Sequence, residues 1–219
     1  MSSKPKEFFD KEYFRRHDKT YYPINFLRDR IIIWFLKRLI PPGGRILEIG
    51  CGTGNLIGRL KKDYEVYGTD ISPLAIRVTR RKICEPNRIW MGDIIRENLP
   101  FQFFDGVVAV NVFEHIKEIE RAFRNVANAL KENGYLFLHL PTQNNIFSSL
   151  VLKFFYRDPT HVFIPKVTDL KILLKKTGFI LTDSYPATIL LFFLKSELLI
   201  RSLPIYFGIF QKSPLSESS

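Results

Sequence analysis

The stretch "RILEIGCGTGNL", residues 45–56, sets a hydrophobic run carrying Glu48 against glycines at 50, 52 and 54. Glycine admits positive φ and lets another group approach the main chain closely, so this spacing directly after a strand points to a ligand packed on the turn. A tight turn alone would hardly need three. The spacing also excludes two common sites. A G-x-G-x-x-G dinucleotide turn fails because Asn55, or Ile57 if the count begins at Gly52, stands where the last glycine belongs. A phosphate-binding G-x-x-x-x-G-K-[ST] loop fails because Gly54 leads to Ile57, Gly58 and Arg59. An acid at Glu48, just before the first glycine, suits a ligand that presents a cation such as an amino group.

Outward from this turn, short apolar runs alternate with amphipathic segments. The pattern predicts strands at 45–49, 65–69, 88–91, 104–110 and 134–140, with helices at 54–62, 73–83 and 117–130 between them. Such alternation means parallel strands with crossover helices and both sheet faces covered. After "LPT" (140–142) the rhythm breaks into an irregular stretch, then resumes with a helix at 166–176 and a strand at 179–185. Two helices, 6–19 and 24–40, precede the first strand, the second ending at "PPGG". Residues 187–210, "ATILLFFLKSELLIRSLPIYFGIF", read as an apolar helix near 189–202 and a last strand near 204–211 pairing antiparallel beside 179–185. Lys195, Glu197 and Arg201 interrupt that run and argue against a spanning helix.

In an open parallel sheet the ligand crevice lies beyond the carboxyl ends of the strands. Two further acids fall there. Asp70, in "YGTDIS", ends the second strand, where a carboxylate can take both hydroxyls of a ribose; Asp93, in "WMGDII", ends the third and could accept from an adenine amino group. Ile71 and Ile94 follow these acids and could cover the two faces of the ring. Taken singly, each Asp is better explained as a helix cap or loop residue. Three acids at successive strand ends shift that balance.

The ordered set "ILEIGCGTGNL", "VYGTDIS", "GDI", "FDGVVAVNVFEHI" and "LKENGYLFLHLPT" resembles the motifs of class I S-adenosylmethionine (SAM)-dependent methyltransferases, especially the small-molecule branch that includes ubiquinone and menaquinone biosynthesis enzymes. The match covers about residues 45–142 and weakens towards 185. The resemblance implies a Rossmann-like α/β fold: a seven-stranded, mostly parallel sheet flanked by helices, with an N-terminal helical lid and a C-terminal apolar helical insertion. The implied boundaries are a lid at 1–42, a SAM-binding domain at 43–211 with insertions at 143–165 and 187–203, and a disordered tail at 212–219. It implies SAM as cofactor and S-adenosylhomocysteine as product. Glu48, Gly50, Cys51, Gly52, Gly54 and Asn55 would hold the methionine part, Asp70 the ribose, and Asp93, Ile71 and Ile94 the adenine. Asn111, after the fourth strand, would lie beside the sulfonium.

Methyl transfer from a sulfonium is an in-line displacement at an activated carbon, so the protein mainly aligns the acceptor, excludes water and removes a proton where needed. His115, in "NVFEHI", and His161, in "DPTHVF", are the candidate general bases, because an imidazole titrates near neutrality. His115 also has a bracing role open to it. Glu114 could meet a cation, but the sequence shows no metal-ligand spacing around it, and no metal is expected.

Composition bounds the remaining choices. The 219 residues suit one α/β core with additions, and an aromatic share of 14% suits a lid over an apolar or aromatic acceptor. Two cysteines outside any CxxC pair fit a reduced, cytoplasmic setting. The net charge of +11 favours anionic partners, though the basic clusters at 77–82 and 174–178 are equally served by solvated helix faces. A small or lipid-like acceptor, methylated at oxygen or carbon, is favoured. RNA or protein methylation and a non-catalytic SAM-binding scaffold are the alternatives; nucleic acid is disfavoured because "NVFE" replaces the "NPPY"-type tetrapeptide. The stretch 187–210 could pack within the protein, form a homodimer, or rest on a membrane surface.

Overall fold

In the computed structural model, described over residues 22–155, 160–186 and 204–214, seven strands form a mostly parallel sheet in the order β3-β2-β1-β4-β5-β7-β6. The predicted helices at 6–19 and near 189–202, the segment 187–203 and residues 215–219 of the tail lie outside the described residues. Contacts divide the chain into two compact units that meet in sequence at Glu97 and Asn98.

The first unit begins with α1 (Tyr22–Leu39), which buries Ile32, Phe35 and Leu36 at helical spacing. It is tied down by Lys37 to Asp63 at 2.9 Å and by the Tyr64 hydroxyl donating to the Ile40 carbonyl at 3.2 Å. Then follow β1 (Arg45–Ile49), α2 (Asn55–Leu60), β2 (Glu65–Asp70), α3 (Pro73–Ile83) and β3 (Ile89–Met91). β1 pairs parallel with β2, and β2 with β3. Helix α3 starts where Ser72 accepts the Ala75 N–H at 3.3 Å and Pro73 supplies a preset φ, which is why the local sequence alone delimits it.

The second unit runs β4 (Phe104–Val110), α4 (Ile119–Ala129), β5 (Leu130–Pro141), α5 (Ile146–Phe155), α6 (Val167–Lys176), β6 (Phe179–Pro186) and β7 (Ile205–Lys212). β4 and β5 are parallel. β7 is antiparallel to both β5 and β6 and lies between them. Strand 204–211 therefore has the predicted partner, and a second one besides. Val107, Val108 and Ala109 of β4 and Leu136, Phe137 and Leu138 of β5 are fully buried, as central strands covered on both faces must be. α4 turns Ala122, Phe123 and Val126 inward, and Phe123 stacks on Phe113 with ring centroids 4.5 Å apart.

Two expectations change. The stretch read as irregular after residue 142 contains α5, and residues 212 and 213, read as part of the tail, are held in the fold: Lys212 is paired in β7 and Ser213 N–H donates to the Gly178 carbonyl. α5 is held by a reciprocal cap: Asn145 Oδ1 accepts the Ser148 N–H at 2.8 Å while Ser148 Oγ accepts the Asn145 N–H at 3.0 Å.

Candidate active site

The glycine turn joins β1 to α2. Gly50, Gly52 and Gly54 all have positive φ, at 70°, 50° and 72°. At Gly54 there is a second reason for glycine: a Cβ would stand 2.9 Å from both Oγ1 and Cγ2 of Thr79. Thr79 reaches the turn from α3 and donates its hydroxyl to the Gly52 carbonyl at 2.8 Å. Gly50 and Cys51 N–H both donate to the Thr69 carbonyl, at 2.8 and 3.1 Å. The turn is thus pinned from β2 and from α3.

Beside the Thr69 carbonyl, Asp70, the last residue of β2, adds a side-chain contact. Its Oδ2 accepts the Gly52 N–H at 2.9 Å and its Oδ1 accepts the Ser72 N–H at 2.8 Å. Burial raises the carboxyl above its usual range, while these N–H groups pull it back down. Its two oxygens offer about four lone pairs between them, which leaves acceptor capacity for a hydroxyl. Glu48 has an internal task. Its Oε2 accepts the Ile57 N–H at 2.9 Å, satisfying an otherwise orphaned donor in the first turn of α2. Burial, then the charge of Asp29, pushes Glu48 well above the ordinary carboxylate range. The Cys51 thiol is buried and raised well above its usual value, first by desolvation and then by Glu48 and Asp70, so it is no nucleophile. The Asn55 carboxamide accepts from Lys82 Nζ at 2.6 Å and donates to Thr53 Oγ1 at 3.2 Å.

After β3, Asp93 Oδ1 accepts the Ile95 N–H at 3.1 Å, a local turn that leaves the carboxylate partly exposed. Ile94 is buried and Ile71 half-buried. Glu97, which the sequence did not single out, takes hydrogen bonds from Trp90 Nε1 and from Thr69 Oγ1, and burial raises its carboxyl.

In the second unit, Asn111 follows β4 with φ 54°, a conformation uncommon outside glycine. His139 of β5 holds it twice: its carbonyl accepts the Asn111 N–H at 2.9 Å, and its Nδ1 lies 2.8 Å from Asn111 Oδ1. A short helical turn, Phe113–His115, follows. Its Glu114 carbonyl accepts the N–H groups of Val162 and Phe163 at 2.8 and 3.0 Å, which sews residues 160–163 to that turn. Thr160 Oγ1 meets His115 Nδ1 at 2.8 Å, and the rings of His115 and His161 lie 5.0 Å apart. The two candidate bases, remote in sequence, are neighbours.

A family model described as a methyltransferase domain matches residues 21–184. The chain belongs to that family, the SAM-dependent methyltransferases. SAM is accordingly the family cofactor. The malonyl-[acyl-carrier protein] O-methyltransferase of Anoxybacillus flavithermus is 28% identical over 104 residues, covering 46% of this chain and 40% of that protein. The ubiquinone biosynthesis O-methyltransferase of Xanthomonas campestris is 27% identical over 122 residues, covering 53% of this chain and 51% of the relative. The chain thus spans about half the length of the curated relatives it matches. A SAM-dependent methyltransferase structure from Archaeoglobus fulgidus superposes with a TM-score of 0.69 at 23% identity, covering 93% of this chain and all of that one, which establishes the shared fold.

Besides Glu97, three more residues support the site of this methyltransferase without having stood out in the sequence: Thr79, Asp29 and His139. Thr79 shares the buried face of α3 with Ala75 and Ile83, a spacing visible in the sequence. Asp29 is 1% exposed and bonds Arg28 Nη2 at 2.8 Å, with Arg59 3.6 Å away; it falls three residues before the buried Ile32, which was the available signal. His139 gave none beyond its place in a buried strand.

Proposed function

We propose that this chain transfers the methyl group of SAM to oxygen or carbon of a small or lipid-like acceptor. The observation carrying this reading is the β1–α2 turn, whose three positive-φ glycines are pinned by Thr79 and by Oδ2 of Asp70, while Oδ1 of Asp70 holds the Ser72 N–H. Those residues fit the cofactor: the turn offers bare main chain, and the Asp70 oxygens can accept further hydrogen bonds from a ribose diol. When bound, SAM supplies a methyl carbon already activated by its sulfonium. Gly50, Cys51, Gly52, Gly54 and Asn55 would contact its methionine portion, with Glu48 shaping the turn from beneath. Asp93, Ile71 and Ile94 would receive the adenine. Asn111, fixed by His139, would present backbone to the sulfonium. For a hydroxyl acceptor, His115 or His161 would take the proton that the acceptor oxygen gives up.

Acceptor oxygen is supported by the two relatives, both O-methyltransferases. Cytoplasmic location rests on the two free cysteines, Cys51 and Cys84. Homodimer formation or peripheral membrane contact through 187–210 rests on the apolar composition of that stretch. Among the described residues no helix is long and apolar enough to cross a membrane.

Calorimetric titration with SAM and S-adenosylhomocysteine tests the reading. The wild type binds both, and Asp70→Ala weakens binding by roughly tenfold or more, the scale of a lost charge-assisted hydrogen bond. No binding by the wild type, or equal binding by the variant, would remove the basis for it.

A further inference from the structure

We propose that Glu114, His115 and His161 form a binding site for a divalent first-row transition ion of the zinc class. One carboxylate oxygen and two imidazole nitrogens from these residues lie within 4.8 Å of one another. An ion at about 2.0–2.2 Å from each donor needs the donors roughly 3–4 Å apart, so a small inward adjustment closes the set. The donors are one hard oxygen and two borderline nitrogens, which favours zinc, cobalt or manganese over magnesium or calcium.

The scaffold is already built. Glu114 is 1% exposed and sits in a short turn whose carbonyl is clamped by two N–H groups from the His161 segment. That clamp sets the His161 backbone against the Glu114–His115 turn. Thr160 Oγ1, 45 residues from His115 in sequence, engages Nδ1 of that ring at 2.8 Å. When Nδ1 carries the hydrogen and donates to the threonine oxygen, the Nε2 lone pair is directed outward as a ligand, the arrangement by which an outer hydrogen bond fixes a metal-binding tautomer. Three protein donors leave coordination positions for an acceptor oxygen. With the ion bound both imidazoles ligate and neither serves as the base; the ion instead lowers the pKa of a bound hydroxyl, whose proton leaves to solvent before the oxygen attacks. The last step rests on the methyltransferase reading; ion binding does not.

The test uses the full chain, stripped with a chelator, dialysed, and titrated with Zn2+ against a chromophoric competitor and with Co2+ by visible absorption. One ion of either metal binds per chain, and Co2+ shows ligand-field bands. Glu114→Gln and His161→Asn each weaken binding by about tenfold or more and change the Co2+ spectrum, while Thr160→Val weakens it by about tenfold with the ligand set intact. Circular dichroism and SAM titration on each variant confirm that the fold persists, and Glu114→Gln, nearly isosteric, covers the case in which His161→Asn does not fold. Absence of stoichiometric Zn2+ or Co2+ binding would overturn the site. So would binding unmoved by both substitutions, as zinc held on the exposed Cys84 would give, or a preference for Mg2+. SAM binding without metal binding leaves the methyltransferase reading standing; metal binding without SAM binding does the reverse.

Discussion

Glu48 shows how one residue can serve the turn at a cost to the chain. Its carboxylate satisfies the Ile57 N–H, yet burial and the nearby Asp29 charge favour the protonated form. The folded chain therefore keeps this proton to higher pH than the unfolded chain does. Stability linked to Glu48 is full below the unfolded carboxyl range, falls as pH rises through the folded value, and then levels. Asp29 and Asp70, also raised by burial, add to the same slope. Glu48→Gln keeps an oxygen for the Ile57 N–H and removes one titration. Urea unfolding at a series of pH values rising from the unfolded carboxyl range is expected to show a shallower decline, with the variant the more stable at neutral pH. A variant less stable than wild type at pH 7 would contradict the assigned strain. The chemistry of this residue was half legible: the acid stood out beside the glycines, but its internal N–H partner lies nine positions away and emerges only once α2 has turned back over β1.

At the scale of elements, β7 has little tolerance at its centre. Its Gly208 faces Leu138 of β5 and Ser184 of β6. A Cβ there would stand 2.5 Å from Phe210 Cε2 and 2.6 Å from Tyr206 Cε1, because residues 206, 208 and 210 share one face. Both aromatics are fully buried, so they have little room to yield. Gly208→Ala is expected to destabilise by about 1–3 kcal/mol, read as a lower urea midpoint at unchanged slope. An unchanged midpoint would show that the rings can move aside. Most elements were readable because their signals are local: the Ser72 cap and Pro73 of α3, or the short, mostly apolar runs of β1 and β4. α5 escaped notice because Ser148 takes the capping position where Glu or Gln is the usual sign, and in its sequence Ser149 and Lys153 mark the polar face only thinly.

For the whole molecule, the order β5-β7-β6 makes the C-terminal strand structural rather than appended. Ending the chain after Pro204 strips the pairing edge of both β5 and β6 and removes Tyr206, Phe207 and Phe210 from the core. Such a chain is expected to lose cooperative thermal unfolding and to aggregate, because two edges and their apolar faces are left open together. A soluble, cooperatively folded truncation would overturn this account. The sequence by itself determined the alternation of strands and helices, the glycine turn and the acids at the strand ends, since each depends on neighbours a few residues apart and on the fixed periods of helix and strand. Tertiary structure alone decided that β7 inserts beside β5, that Thr79 and Asp70 pin the turn, and that His161 stands beside Glu114 and His115. Those contacts join residues far apart along the chain, and their partners are chosen by packing and by the need to pair buried polar groups, for which no local pattern exists.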